Sequence, residues 1–255
     1  MIFDAIKEAV DMLQEALAVS TMLRHRRAYE RRLRRLARRM FRQQAAAVVE
    51  ATVRFWPPSD DVLGAALRGV SILHSDDFGD VLADAYTKGF GDGERELKED
   101  LEPSLVTREM RRRAGDRIAG IDATTREQIR ALLETAIAEN WSYTKIAASI
   151  RRMFADFGRV VPQRHIRDRA ELIAVTEAGQ AFMDGQSEQA RQREARGIAI
   201  EKSWLTVGDD RVSEGCIENQ RQGWIPFGQA FRSGHTSPLR FPGCRCAMQT
   251  RKKAA

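Results

Sequence analysis

The stretch RFPGCRCAM, from Arg240 to Met248, holds two of the chain's three cysteines on either side of one arginine. Successive side chains of a β-strand point to opposite faces, so Cys244 and Cys246 would present their sulfurs on the same face. The Pro242–Gly243 pair ahead of them is typical of a turn. We therefore expect a short terminal strand entered through a turn, with Cys216 as the one other cysteine that could join the pair.

The pattern of apolar residues changes along the chain from helical to strand-like. Ile6, Val10, Leu13 and Leu17 follow the three- and four-residue spacing of an amphipathic helix, and such spacing recurs up to Gly197. The next run, IAIEKSWLTVGDD at 198–210, is typical of a strand that ends in turn-forming residues. The sequence predicts an α+β fold: a mainly α-helical N-terminal two-thirds with long helices, then a small C-terminal module of a helix and short strands.

Two breaks divide the helical part. WPPSDD, at 56–61, contains consecutive prolines, which cannot continue a helix, and FGRVVPQ, at 157–163, also interrupts the helical pattern. They predict three domains: a basic amphipathic helical arm at 1–57, a helical region at 58–160, and the α+β module at 161–255.

Arginine dominates the predicted arm, and the chain carries a net charge of +6. A helix covered with arginine can bind phosphates, pair with carboxylates of another protein surface, or simply be solvated. Double-stranded DNA and an acidic protein surface remain equal alternatives, and the acidic segment at 60–102 is a third source of carboxylates. The candidate binding residues are Arg24, Arg26, Arg27, Arg31, Arg32, Arg34, Arg35, Arg38, Arg39 and Arg42.

Two local patterns in the helical region invite a structural interpretation. The glycines of KGFGDG, at 88–93, follow a helical run rather than a strand, so we expect close helix packing and no phosphate-binding loop. In IDATT, at 121–125, Asp122 or Thr124 is predicted to cap the N-terminus of a helix.

The last ninety residues carry a series of motifs in a fixed order: RAELIAVTE, KSWLTVGDDRV, GWIPFGQAF and SPLRFPGCRC. The series resembles the head morphogenesis proteins of tailed phages, a minor head protein family similar to protein F of phage Mu, over residues 117–251. The resemblance implies a non-enzymatic minor head protein of the virion, in the head interior or at the portal vertex, made in the host cytoplasm and oligomeric within the particle. It implies portal, capsid or scaffold proteins as partners. The matching residues are Ala174, Thr176, Glu177, Trp204, Thr206, Asp210, Arg211, Val212, Pro242, Cys244, Arg245 and Cys246.

The cysteines allow three interpretations. A structural zinc ion needs four ligands, which Cys216, Cys244, Cys246 and His235 could supply. They could instead be small buried residues that pack the module, or Cys216 could form a disulfide with one of the pair. Family members often have a further cysteine or histidine where this chain has Ser213, and a histidine in place of Phe241.

Composition and motif content limit the class of protein. Three cysteines cannot form a complete disulfide framework, and the charged residues within MIFDAIKEAVDMLQEALAVS exclude a signal peptide or membrane span there. His25, His74, His165 and His235 are scattered and form no paired catalytic motif. We expect no enzymatic activity; the alternative is a metal-dependent nuclease or toxin-like enzyme built on a similar C-terminal module.

Overall fold

The computed structural model describes the backbone of residues 2–91, 103–155 and 168–253, and the side chains of 20–91, 106–154 and 168–253. The predicted mainly helical α+β fold is confirmed. None of the described helices is both long and apolar enough to cross a membrane. The elements are α1 (Ile2–Arg54), α2 (Asp60–Gly91), α3 (Pro103–Ala138), α4 (Tyr143–Ala155), α5 (Arg169–Ala195), β1 (Ile200–Leu205), α6 (Glu214–Arg221), β2 (Ile225–Pro226) and β3 (Ala247–Lys252).

The chain forms two compact units, each built from separate stretches of sequence. The terminal unit comprises Met1–Arg31, Asp84–Leu101 and Val175–Ala255, and the helical unit comprises Arg32–Ala83 and Glu102–Ala174. Helices α1, α2 and α5 therefore contribute residues to both units. The three domains predicted along the chain remain a prediction. The break predicted at FGRVVPQ lies outside the described residues, and so do the side chains of the stripe from Ile6 to Leu17.

The helical unit has a core of aliphatic side chains at helical spacing. Leu33 and Met40 of α1 are fully buried, as the apolar stripe predicts. WPPSDD separates α1 from α2, as expected for consecutive prolines. Asp60, in the first turn of α2, pairs with Arg130 of α3. The core also includes Val48, Leu63, Leu67, Ile118, Ile129, Ile146 and Ile150.

A buried polar cluster corrects the predicted helix start at IDATT. Helix α3 runs unbroken through this segment, and Thr124 donates to the carbonyl of Gly120 one turn earlier. Asp122 is buried and accepts hydrogen bonds from Gln44 Nε2 at 2.7 Å and Ser71 Oγ at 2.8 Å. Burial raises the pKa of Asp122, and these two hydrogen bonds oppose that rise. Asp122 therefore joins α1, α2 and α3, and the predicted cap was wrong because the sequence does not show its distant partners.

The terminal unit contains a three-stranded antiparallel sheet of order β2-β1-β3. Trp204 of β1 lies opposite Met248 of β3. Trp204 packs in one apolar cluster with Cys216, Ile225, Phe231, Cys244 and Cys246. A second cluster combines Met22 of α1, Phe182 and Met183 of α5, and Ala247 and Met248 of β3. The sheet is thus held by side chains from both ends of the sequence.

Glycines allow a close approach of α2 and α5 within the terminal unit. A Cβ atom at Gly89 would overlap the carbonyl of Phe182, and one at Gly185 would overlap the carbonyl of Tyr86. The expectation that KGFGDG serves helix packing is confirmed for Gly89, whereas Gly93 lies outside the described residues.

Candidate functional site

The three cysteines meet in the core of the terminal unit. Cys216 lies on α6, while Cys244 and Cys246 lie in the segment just before β3, so the expectation that this pair lies on a strand was wrong. All three thiols are free and buried, and their sulfurs lie within 4.8 Å of one another. The Cys216 and Cys244 sulfurs are 4.0 Å apart, about twice the length of a disulfide bond. The arrangement is a compact cluster of three sulfurs.

Hydrogen bonds within the cluster give its three thiols different pKa values. Bonds from Cys216 and then Cys246 lower the pKa of Cys244 to about 2, because they stabilise its thiolate. The hydrogen bond with Cys244 raises the pKa of Cys216, and the bonds with Cys216 and Cys244 raise the pKa of Cys246; burial adds to both increases. Cys244 is therefore the cysteine of the cluster that most readily carries a negative charge.

His235 does not join the cysteines. It lies outside the group of sulfurs, and its Nδ1 is 3.0 Å from both the hydroxyl and the carbonyl oxygen of Ser233. Asn219 of α6 donates to the same Ser233 hydroxyl at 2.8 Å, so His235 belongs to a polar loop network. The structure thus brings together three of the four residues considered for zinc.

The motif residues that carry the family resemblance connect α5, the sheet and the terminal loop. The Thr176 hydroxyl accepts a hydrogen bond from the Gly243 amide at 2.8 Å. Trp204 is 1% exposed and contacts the Phe231 ring edge-on at 5.1 Å. Both terminal nitrogens of Arg245 donate to the carboxylate of Asp209, at 2.7 and 2.8 Å.

The remaining motif residues are less enclosed. Asp210 is 93% exposed and lies 3.9 Å from the half-exposed Arg211. Pro242 is exposed and Glu177 is half-buried. Sequence reasoning singled out Asp210 and missed its neighbour Asp209, because a bidentate partner is defined by three-dimensional geometry.

Arg26 has a structural role that was not predicted from the sequence, where it is one of many arginines. Its side chain is 2% exposed, and it donates to the carbonyls of Cys246 and of Cys244, the latter at 3.0 Å. It also donates to Glu30 at 2.8 Å. A Cβ atom at Gly179 would lie 2.6 Å from Arg26 Nη2, so α5 presents no side chain there. One signal was available: Arg26 falls four residues after the buried Met22, on the apolar face of α1.

The other arginines of the run differ in the groups that they contact. Arg34 pairs with Glu171 at 3.0 Å, Arg38 pairs with Asp168, and Arg24 donates to the Thr21 hydroxyl. Arg27 and Arg31 are exposed in the terminal unit, and Arg32 is exposed at the start of the helical unit.

Three arginines of the helical unit form an exposed basic face. Arg35, Arg39 and Arg42 are all exposed, and no acidic side chain among the described residues pairs with them. Their spacing of four and three residues places them on one face of α1. We call these three residues the basic face.

Comparison with known proteins finds a similarity in the C-terminal part of the chain. The family model for phage Mu protein F like proteins matches residues 127–249, which include the three cysteines, Trp204 and the Arg245–Asp209 pair. No curated protein and no solved structure gives a significant match. The basic face and Arg26 lie outside the matched residues. Residues 127–249, a little under half of the chain, are thus similar to the phage Mu protein F like family, and this similarity supports a role in phage head morphogenesis.

Proposed function

We propose that the chain is a minor head protein that associates with the portal or inner capsid and binds packaged DNA through the basic face. The family supports a role in head morphogenesis and a place in the virion. The observation that carries the DNA proposal is the exposure of Arg35, Arg39 and Arg42 without acidic partners among the described residues. In this role the protein acts by docking, with no catalytic step.

The contrast among neighbouring arginines supports this assignment. Arg26 and Arg34 satisfy buried or half-buried acceptors, so their charge is used within the fold. In the part of the chain that the structure describes, the basic face has no such acidic acceptor, and its three guanidinium groups are solvated. Double-stranded DNA offers a regular row of phosphates, and each contact releases condensed counterions. The basic face therefore suits a sequence-independent, salt-sensitive contact with DNA.

The salt dependence of DNA binding tests the proposal. Fluorescence anisotropy with a labelled 24-base-pair duplex would be measured for the wild type and for Arg35→Gln/Arg39→Gln/Arg42→Gln between 50 and 200 mM salt. Each phosphate contact contributes about 0.9 to the slope of log K against log salt, so the variant should lose up to roughly 2.7 from the slope. An unchanged slope would show that these arginines do not contact phosphate.

A charge-matched control comes from α3. Arg111 pairs with Asp80, while Arg112 and Arg113 pair with Glu109. The variant Arg111→Gln/Arg112→Gln/Arg113→Gln removes the same three charges, yet its salt slope should stay close to that of the wild type. An equal loss in both variants would indicate a general charge effect and would contradict a specific basic face.

The assembly role has a separate test. Phage heads would be purified, and the chain would be identified by mass spectrometry together with the portal and capsid proteins. We expect the chain in these particles or in their precursors, and its co-purification with portal protein. Absence from both would contradict the assembly role. Cleavage of the duplex in the presence of divalent metal would instead support the alternative of a nuclease.

A further inference from the structure

We propose that Cys216, Cys244 and Cys246 bind one soft, thiophilic metal ion, Zn²⁺ or Cu⁺, through three sulfurs and without His235. The inference concerns the core of the terminal unit, so it stands whether or not the basic face binds DNA. The bound ligand would be a thiophilic metal ion, and the nearby cation is Arg26 of α1.

The spacing of the sulfurs fits such an ion. Zinc–sulfur bonds are about 2.3 Å long, so two sulfurs on one ion lie about 3.8 Å apart in tetrahedral geometry and about 4.0 Å apart in trigonal geometry. The Cys216 and Cys244 sulfurs are 4.0 Å apart, and all three sulfurs lie within 4.8 Å of one another. Cys216 is brought to the others from α6, 28 residues earlier in the sequence. The sulfurs can therefore contact one ion with small adjustments.

Arg26 places a buried guanidinium next to the main chain of two of the cysteines, and Glu30 pairs with the same guanidinium. Three thiolates around Zn²⁺ carry a net charge of −1, and around Cu⁺ the net charge is −2. Burying such a charge is unfavourable unless a cation lies nearby. The buried Arg26 guanidinium donates to the main-chain carbonyls of Cys244 and Cys246, two of the three ligand residues. Hydrogen bonds in this outer shell orient ligands and tune a metal site.

The ligand set favours a soft ion. His235 is engaged by Ser233, and no histidine or carboxylate among the described residues completes the group of sulfurs. Thiolates without harder ligands select Zn²⁺ or Cu⁺ over ions that prefer oxygen. A fourth position on Zn²⁺ would be taken by water or another external ligand.

Titration of the purified full-length protein tests the proposal. Reduced protein, stripped of metal with a chelator, would be titrated with Cd²⁺ while the ultraviolet thiolate-to-cadmium charge-transfer band is recorded. Zn²⁺ and Cu⁺ would then compete in separate arms. We expect the band to saturate at one equivalent, and competition to identify the preferred ion. No band, or no saturation near one equivalent, overturns the proposal.

Two variants separate three-sulfur binding from a site that uses His235. Cys216→Ser should reduce the Cd²⁺ affinity at least tenfold, whereas His235→Ala should retain the wild-type affinity within about twofold. Circular dichroism would verify that each variant folds. A tenfold loss in a folded His235→Ala variant would overturn the three-sulfur assignment.

Two measurements on the wild type keep the test decisive if Cys216→Ser does not fold. Bound metal should protect all three thiols from alkylation, and protein freshly purified from its host should contain about one zinc or copper ion per chain. Less than about one ion per three chains, or alkylation at an unchanged rate when metal is present, would overturn the proposal.

Discussion

Replacing Arg26 with methionine would remove a buried guanidinium while keeping an unbranched side chain in the same space. Arg26 joins α1 to the segment before β3 through the carbonyls of Cys244 and Cys246, and it also contacts Glu30. The methionine sulfur cannot replace these donors. The two carbonyls would be left in a region where water has little access, since both cysteines are buried.

The magnitude follows from these three hydrogen bonds. Hydrogen bonds to charged groups contribute about 1.5–3 kcal/mol each, but burial of the guanidinium already offsets part of their sum. Removing one partner of a buried charged network typically costs about 3–5 kcal/mol, and we expect a decrease of this size in the free energy of unfolding of the terminal unit. The total stability of a domain is about 5–15 kcal/mol, so Arg26→Met would remove a large part of it.

Urea denaturation, combined with hydrogen exchange of β1 and β3, measures the effect and locates it. Arg27 provides the matched control because it is the adjacent arginine and is exposed. Arg27→Met should change the free energy of unfolding by less than about 0.5 kcal/mol. If Arg26→Met costs under about 1 kcal/mol, or if exchange in β3 is unchanged, the proposed buried network does not stabilise the unit.

Two further predictions concern the terminal unit. Gly185→Ala should lower the midpoint of thermal denaturation, because overpacking typically costs about 1–3 kcal/mol and a Cβ would overlap the Tyr86 carbonyl. Gly69→Ala, with no atom within 4 Å of the new Cβ, should be neutral or stabilising, and equal losses would refute the packing explanation. Burial lowers the pKa of Lys202 from 10.5 to about 8, so between these values the unfolded chain binds more protons and this residue makes stability rise with pH. In urea denaturation at several pH values, Lys202→Met should lack this rise, and identical pH slopes for both proteins would contradict it.

Much of the architecture could be predicted from local sequence. The consecutive prolines of WPPSDD interrupt the backbone hydrogen bonding of any helix, and α1 and α2 are separate there. Leu33 and Met40 repeat at helical spacing, and both are buried. The change to short strands after Gly197 was equally visible, since β1 starts at Ile200. These features depend on neighbours within a few turns, so the sequence contains them directly.

Features that depend on distant partners were missed. Asp122 has the composition of a cap, yet it accepts hydrogen bonds from Gln44, 78 residues earlier in the chain. Ile137 follows the buried Ile129 and Leu133 of α3 at the four-residue spacing of one helix face, but it is 50% exposed. In both cases the local pattern is compatible with two environments, and only the packing of other helices decides between them.

The candidate site shows the same limit. We expected Cys244 and Cys246 to share one face of a strand; their sulfurs do lie close together, but in the segment before β3, and the structure adds Cys216 to them. His235 was equally eligible by residue type, but the loop directs its Nδ1 to Ser233. Residue types and spacing identify which groups could bind a metal, whereas the loop conformation determines which of them lie close together.

The terminal unit depends on residues that the family match does not include. Residues 127–249 contain the carbonyls of Cys244 and Cys246, but the guanidinium that satisfies them belongs to Arg26. Met22 likewise packs against Phe182 and Met248. Without α1, the matched region would expose an apolar surface and leave two buried carbonyls without their donor, and each of these changes destabilises a fold. The matched region is therefore incomplete as a folded unit, and the part of α1 that contains Met22 and Arg26 belongs to the terminal unit as much as the strands do.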